Sequence, residues 1–270
     1  MTVLVTGGAG FIGGNFVQHL QEIIEEYVVV VDKLGYASNL NYIPDTPQFH
    51  FENCDISDEN QVKYIFTRFK PRVIFHFAAE SHVDNSIKDC KPFIESNIIG
   101  TINPYSASKA ASDHFVSAFH NTYGLPTVIT NCSNNYGPRQ YKEKLIPQTI
   151  LNLFNNKKVP VYGDGLQIRD WLYVQDHCEA LIEVWKYGNI GERYNIGGEC
   201  EIKNIDLIKK IVSLLDKDES MIEYVEDRPG HDRRYSTNIS KISTKLNWKP
   251  RFNIGDGIER TIKWYERYRN

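Results

Sequence analysis

The chain has 270 residues, 41% hydrophobic and 24% charged, with a formal net charge of −3. That length can bury one large α/β core or a domain with a smaller lobe, and the composition excludes a disordered polymer. The acidic balance argues against nucleic-acid and membrane surfaces as partners, and no apolar run approaches the roughly 20 residues that span a bilayer.

The first predicted strand is the apolar run Val3–Val5, which enters Thr6-Gly7-Gly8-Ala9-Gly10-Phe11-Ile12-Gly13; helical spacing follows over Phe16–Ile24. Starting on a strand leaves no room for a secretory leader, so a cytoplasmic location is expected. Glycines at Gly7, Gly10 and Gly13 serve a tight reversal, close approach of backbone to a pyrophosphate, and close helix–strand packing. An ordinary glycine-rich turn would satisfy part of this pattern. The second predicted strand, Tyr27–Val31, ends at Asp32, whose carboxylate can accept from both ribose hydroxyls of an adenosine. It would repel a 2′-phosphate, which favours NAD over NADP, with Lys33 beside it as a counterweight.

The third strand is expected over Phe49–Asn53, ending near Asp55 and Ile56, and Asp58 is a candidate N-cap for a helix over Gln61–Phe69. A fourth strand, Arg72–Phe77, runs into Ala78-Ala79, small residues against which a dinucleotide could lie. Alternating strands and helices predict an α/β fold with a doubly wound parallel Rossmann sheet, its ligands at the carboxyl ends of the strands. Tyr105 and Lys109 stand at i and i+4, on one face of a helix. An ammonium there can stabilise the phenolate, and a phenol so tuned can take a proton from a sugar hydroxyl. Two exposed helix residues would show the same spacing, so the pair gains meaning only beside the glycine turn. Beyond Pro138, helical spacing is expected over Thr149–Asn155, then a strand over Val159–Tyr162 and a turn at Gly163-Asp164-Gly165 leading to Arg169. The five cysteines (Cys54, Cys90, Cys132, Cys178, Cys200) are scattered without metal-ligand spacing, and are expected as reduced thiols. The histidines likewise predict no metal site. Trp248 and Trp264 are expected as packing residues.

Six further runs carry a resemblance: Ala78–Asp84, Asn131–Pro138, Lys144–Pro147, Arg169–Val174, Tyr194–Gly198 and Asp227–Tyr235. With the glycine turn and the Tyr105/Lys109 pair, they resemble the nucleotide-sugar branch of the extended short-chain dehydrogenase/reductase family, in particular its 4,6-dehydratases. The resemblance implies NAD bound at Gly7, Gly10, Phe11, Ile12, Gly13, Asp32, Lys33, Asp55, Ile56, Ala78, Ala79, Tyr105, Lys109 and Asn134. It implies a nucleotide-sugar substrate, dTDP-glucose or UDP-glucose, near His82, Asn135, Lys144, Leu145, Pro160, Tyr162, Arg169, Asn195, Arg228 and His231. Catalytic roles would fall on Tyr105 and Lys109. It also implies a smaller C-terminal substrate lobe, with residues 1–137 and 174–198 as the NAD-binding domain and 138–173 and 199–270 as the lobe. A homodimer would be built on helices near Lys91–Thr101 and Tyr105–Tyr123. Asn131 stands where the family usually has arginine.

One departure is large. Only Ile102, Asn103 and Pro104 separate Thr101 from Tyr105. The family has several tens of residues there, including a fifth strand that ends in a Ser-Thr-Asp-Glu-Val-Tyr-Gly run. That run supplies the threonine of the redox site and the Asp–Glu pair for water elimination. Two successive helices without a strand between them would leave a vacant slot in a parallel sheet, with unpaired backbone groups on both sides. The expectation is therefore that the working polypeptide carries residues over which this sequence closes. A true internal deletion would leave a chain that binds NAD and nucleotide without dehydrating its ligand. A UDP-sugar 4-epimerase or decarboxylase would share the cofactor residues and the Tyr105/Lys109 pair.

Overall fold

A computed structural model of the protein describes residues 1–79, 104–227 and 231–268, with backbone alone over 104–108. They form two compact units, Met1–Ile129 with Ile190–Glu192, and Thr130–Asn189 with Arg193–Asn270. No helix among the described residues is long and apolar enough to cross a membrane.

The first unit holds a parallel sheet in the order β3-β2-β1-β4. Its strands are β1 (Thr2–Thr6), β2 (Tyr27–Asp32), β3 (Phe49–Asn53) and β4 (Val73–His76). Its centre reads as a near-continuous run of branched apolar residues, because helices cover both faces of such a sheet. Val3, Val5, Val28, Val29 and Val30 are fully buried. Register aligns Thr6 with Val31 on one side and with His76 on the other, so the turns after β1, β2 and β4 open on one rim. Helix α1 spans Phe11–Ile23 and begins five residues before the expected Phe16, directly after the glycine turn. Phe16 packs against Phe75 and Phe77, at ring-centroid distances of 4.5 and 5.2 Å. Helix α2 (Glu59–Phe69) starts where Asp58 predicts, the carboxylate accepting from the backbone N–H groups of Asn60 and Gln61. Helix α3 (Pro104–Tyr123) carries Tyr105 and Lys109 one turn apart. Among the described residues β4 pairs with β1 alone.

The second unit is built around β8 (Ile168–Tyr173). It pairs in parallel with β6 (Asn134–Tyr136) and β12 (Arg234–Tyr235), and antiparallel with β10 (Glu201–Lys203). A parallel ladder joins β7 (Val159–Tyr162) to β11 (Ile222–Val225), while β5 (Ile129–Cys132) pairs with β9 (Arg193–Ile196). Helices α4 (Leu145–Phe154), α5 (Val174–Tyr187), α6 (Asn204–Leu214), α7 (Ser240–Leu246) and α8 (Ile254–Tyr268) complete it. The core packs Tyr136, Ile146, Ile150, Leu153, Leu207, Ile208, Ile258 and Ile262 together. Trp264 packs against that core and Trp248 is buried, as packing residues should be. Helix α4 starts four residues before the expected Thr149, since Pro147 falls in its first turn, where a missing N–H costs nothing.

Candidate active site

In the first unit, the rim of the sheet gathers the residues predicted for a dinucleotide. Gly7 sits at φ +67°, a conformation that L side chains rarely adopt, and a Cβ there would lie 2.6 Å from the Ala78 nitrogen. The glycine turn and the end of β4 therefore touch backbone to backbone. A Cβ on Gly13 would lie 2.2 Å from the Gly7 carbonyl oxygen, so the first turn of α1 packs on the loop itself. The α1 N-cap is Gly10, with no side-chain cap. Its leading N–H groups are oriented to meet an anion, with the positive end of the helix dipole behind them. This is the cradle a pyrophosphate needs, and Phe11 and Ile12 supply its first helical turn.

Asp32 is buried, and its carboxylate is already oriented. Oδ2 accepts from the Ala9 N–H at 3.1 Å, while Oδ1 accepts from the Leu34 N–H at 2.8 Å and the Ser38 hydroxyl at 2.9 Å. The sequence alone gave no sign of these donors. They fix the carboxylate at the tip of β2 and leave Oδ2, with one donor here, as the better placed oxygen for a ribose hydroxyl. Across the rim, Asp55 accepts from the backbone and hydroxyl of Ser57; these bonds, with the Lys33 charge, hold it below the usual carboxylate range. Ile56 is exposed beside it.

Tyr105 and Lys109 share α3 at the predicted spacing. Lys109 is half-buried, and its charge, after burial, is a cause of the lowered pKa of His76 at the end of β4. The lysine is thus electrically coupled to the sheet rim. The Thr6 hydroxyl bonds the His76 ring at 2.7 Å, an arrangement that carried no sequence signal.

In the second unit, β6 sets Asn134 and Asn135 beside Trp171 and Leu172 of β8. Asn135 donates to the Ser133 carbonyl, and its side-chain oxygen is 2.9 Å from His177 Nδ1. His177 is buried, which pushes its pKa down to about 4. Lys144 is the N-cap of α4 and Leu145 its first residue. Pro160 and Tyr162 lie on β7, and the Gly163 N–H continues that ladder to the Val225 carbonyl. Arg169 is buried on β8; its guanidinium donates to the carbonyls of Ile168 and Asp232, which tie it to the 227–235 segment. The next residue, Asp170, accepts from the N–H groups of Gly198 and Cys200 and so fixes the loop after Asn195 on β9. His231 bonds Asp227 through Nδ1 at 2.7 Å. Asn134, Asn135, Lys144, Leu145, Pro160, Tyr162, Arg169, Asn195 and His231 thus belong to one unit. His82, Arg228 and the spacing between Thr101 and Tyr105 lie outside the described residues, as does the whole of the expected dimer helix Lys91–Thr101.

Comparison with known proteins places this geometry. The family model for GDP-mannose 4,6 dehydratase matches residues 4–103 and 102–261. The dTDP-glucose 4,6-dehydratase of Neisseria meningitidis serogroup B is 42% identical over 328 residues, covering 97% of this chain and 92% of that protein. A structure of DesIV, the dTDP-glucose 4,6-dehydratase of Streptomyces venezuelae, with NAD and thymidine diphosphate bound, superposes with a TM-score of 0.95. It is 36% identical and covers 100% of this chain and 98% of that one. The Bacillus anthracis dTDP-glucose 4,6-dehydratase in complex with NAD is 38% identical, with a TM-score of 0.88 and coverage of 99% and 97%. The alignment to the Neisseria protein spans 328 positions against 270 residues here, so at least 58 of them are gaps on this side. The two stretches of the family match meet at residues 102 and 103.

Proposed function

We infer from its membership that this chain, which belongs to the GDP-mannose 4,6 dehydratase family of extended short-chain dehydrogenases/reductases, is an NAD-dependent dTDP-glucose 4,6-dehydratase. The observation that carries the inference is the coincidence of two built clusters, one in each unit, with relatives that match across both. One is the glycine cradle with Asp32; the other is the Arg169–His231 cluster. The fit to NAD rests on the uncapped α1 N-terminus and on the Gly7 and Gly13 backbone, where a side chain would fill the cradle.

When bound, NAD would accept a hydride from C4 of the sugar and later return it at C6. The chain's own residues divide the remaining work. Gly7, Gly10, Phe11, Ile12 and Gly13 hold the pyrophosphate, Asp32 the adenosine ribose, and Asp55, Ile56, Ala78 and Ala79 the surroundings of the adenosine half. The resemblance assigns Asn134 to the cofactor as well, beside the sugar and phosphate. Tyr105 takes the C4 hydroxyl proton, and Lys109 stabilises the resulting phenolate and holds the nicotinamide ribose. Arg169, Arg228, Asn195 and His231 surround the diphosphate, where a guanidinium fork matches phosphate oxygens. Pro160 and Tyr162 border the base, and Lys144, Leu145, Asn135 and His82 complete the substrate site.

The 4-keto group acidifies the C5 proton, and elimination then needs one group to take that proton and another to protonate the leaving C6 hydroxyl. Those groups belong to the run absent between Thr101 and Tyr105. The working enzyme therefore carries the additional segment, and these 270 residues by themselves exchange hydride at C4 at most. Incubating the protein with dTDP-glucose and with UDP-glucose, and following alkaline absorbance of a 4-keto sugar with loss of one water, tests the assignment. No water loss from either substrate by a chain carrying the segment contradicts it, and interconversion of glucose and galactose would assign an epimerase instead. A cytoplasmic homodimer is part of the same proposal.

A further inference from the structure

We propose that Ser38 is a positioning residue that holds the Asp32 carboxylate with Oδ2 presented to the adenosine ribose, and so sets the preference for NAD over NADP. It rests on the assignment of NAD to the glycine cradle given above. Asp32 Oδ1 accepts from the Leu34 N–H at 2.8 Å and from the Ser38 hydroxyl at 2.9 Å. Two donors fill the two lone-pair positions of that oxygen. Oδ2 has one donor among the described residues, the Ala9 N–H at 3.1 Å, and that donor belongs to the glycine turn. The acceptor position still open on Asp32 is therefore on the oxygen turned toward the cradle.

The loop after β2 is built to keep it so. Leu34 sits at φ +56°, a conformation uncommon for any residue but glycine, and the Ser38 N–H closes a turn on the Gly35 carbonyl at 3.1 Å. The Asn39 N–H then donates to the Ala9 carbonyl at 2.8 Å. Ala9 thus gives its N–H to Asp32 and receives one from the residue after Ser38, which closes a ring through Asp32, Ala9, Asn39 and Ser38. Further along, the Tyr42 carbonyl accepts from Gln18 Nε2 on α1 at 2.8 Å. A Cβ on Gly14 would lie 2.8 Å from Tyr42 Cβ, so the loop is seated on the helix whose N-terminus faces the pyrophosphate. The other donors to Asp32 are backbone groups, and the Ser38 hydroxyl is the one that a substitution removes cleanly.

Donor and acceptor roles give Ser38 its effect. Its hydroxyl has one proton, already given to Oδ1, so it acts on a ribose through Asp32. Without it each carboxylate oxygen keeps a single backbone donor, and the terminal torsion of an aspartate is broad enough to let the group swing. A fixed Oδ2 rewards a ribose hydroxyl, which can donate. It repels a 2′-phosphate, which only accepts and carries like charge.

Titration calorimetry of the full chain with NAD, NADP and an NAD analogue whose adenosine is 2′,3′-dideoxy tests this role. Ser38→Ala should weaken NAD roughly tenfold, the scale of one charge-assisted hydrogen bond, and leave the dideoxy analogue within about twofold of the wild type. The ratio of NAD to NADP affinity should fall by about the same tenfold, and Ser38→Thr, which keeps the hydroxyl, should restore it. A loop merely loosened by the substitution would weaken all three ligands alike. That outcome, or wild-type affinity for NAD in Ser38→Ala, overturns the positioning role and leaves the assignment of NAD standing. A wild-type chain that binds the dideoxy analogue as tightly as NAD also overturns the proposal, since the ribose hydroxyls are then not read. A wild-type chain that binds none of the three overturns the assignment of NAD and the proposal with it.

Discussion

Asp32 shows how a single residue serves structure and selectivity together. Its three internal donors, from Ala9, Leu34 and Ser38, mean that Asp32→Ala loosens the turn as well as removing a ribose contact. Damage to the turn affects both dinucleotides alike, so the ratio of affinities isolates the ribose. That ratio should move away from NAD by at least roughly tenfold, as titration of both cofactors would show. Equal losses would mean Asp32 does not read the ribose. His177 makes a separate prediction about pH. Its folded-state pKa, about 4, lies below the ordinary histidine value, so the unfolded chain binds the proton first. Its contribution to stability is complete above about pH 6.5 and is lost as pH falls toward 4. Nearby Asp176, whose carboxyl burial pushes upward, works in the opposite sense, so a difference measurement is required. From pH 7 to 4.5, denaturant unfolding should show the wild type losing roughly 2–3 kcal/mol more than His177→Gln. Parallel curves would contradict this. The Asn135 partner of His177 was not legible in the sequence, because that bond spans 42 positions.

At the scale of elements, legibility followed local chemistry. The turn after β1 was readable because a glycine pattern and a strand ending in Asp32 fall within one βαβ unit. Helix α2 was readable from its cap, since Asp58 accepts from the two N–H groups that an N-cap should satisfy. Boundaries were poorer where geometry overrode pattern. Helix α1 starts at Phe11 because Gly10 serves as its N-cap, and no side-chain signal marks that start. Gly13→Ala should therefore be costly even though alanine favours helices. Its Cβ would fall 2.2 Å from the Gly7 carbonyl oxygen, a backbone atom that cannot rotate away. The expected result is a loss of about 1–3 kcal/mol in thermal or denaturant unfolding, with NAD affinity reduced as well. Unchanged stability and affinity would show that the first turn of α1 does not rest on the loop. The substrate half-site was legible only through the resemblance, because β6, β7, β8 and β11 come together by pairings that no local pattern encodes.

For the molecule as a whole, the decisive feature is the join between Thr101 and Tyr105. The Neisseria protein aligns over at least 58 positions with no counterpart in this chain, and the two stretches of the family match meet at residues 102 and 103, inside the join. Both observations accord with a missing central segment. At this chain's own mean residue mass, 31.2 kDa over 270 residues, such a segment adds about 7 kDa, so the intact mass of the cellular protein should exceed 31.2 kDa by at least that amount. In that completed chain Tyr105→Phe should cost at least about a hundredfold in turnover, the scale for a positioned acid–base group. The most direct measurement compares two purified proteins, the 270-residue chain and one carrying the family's segment between Thr101 and Tyr105. Each is incubated with NAD and dTDP-glucose, and the product is read by mass. Loss of one water by the completed chain, with none by the 270-residue chain, is the expected result. Water loss by the 270-residue chain, or none by the completed one, would contradict the assignment of elimination to the missing run.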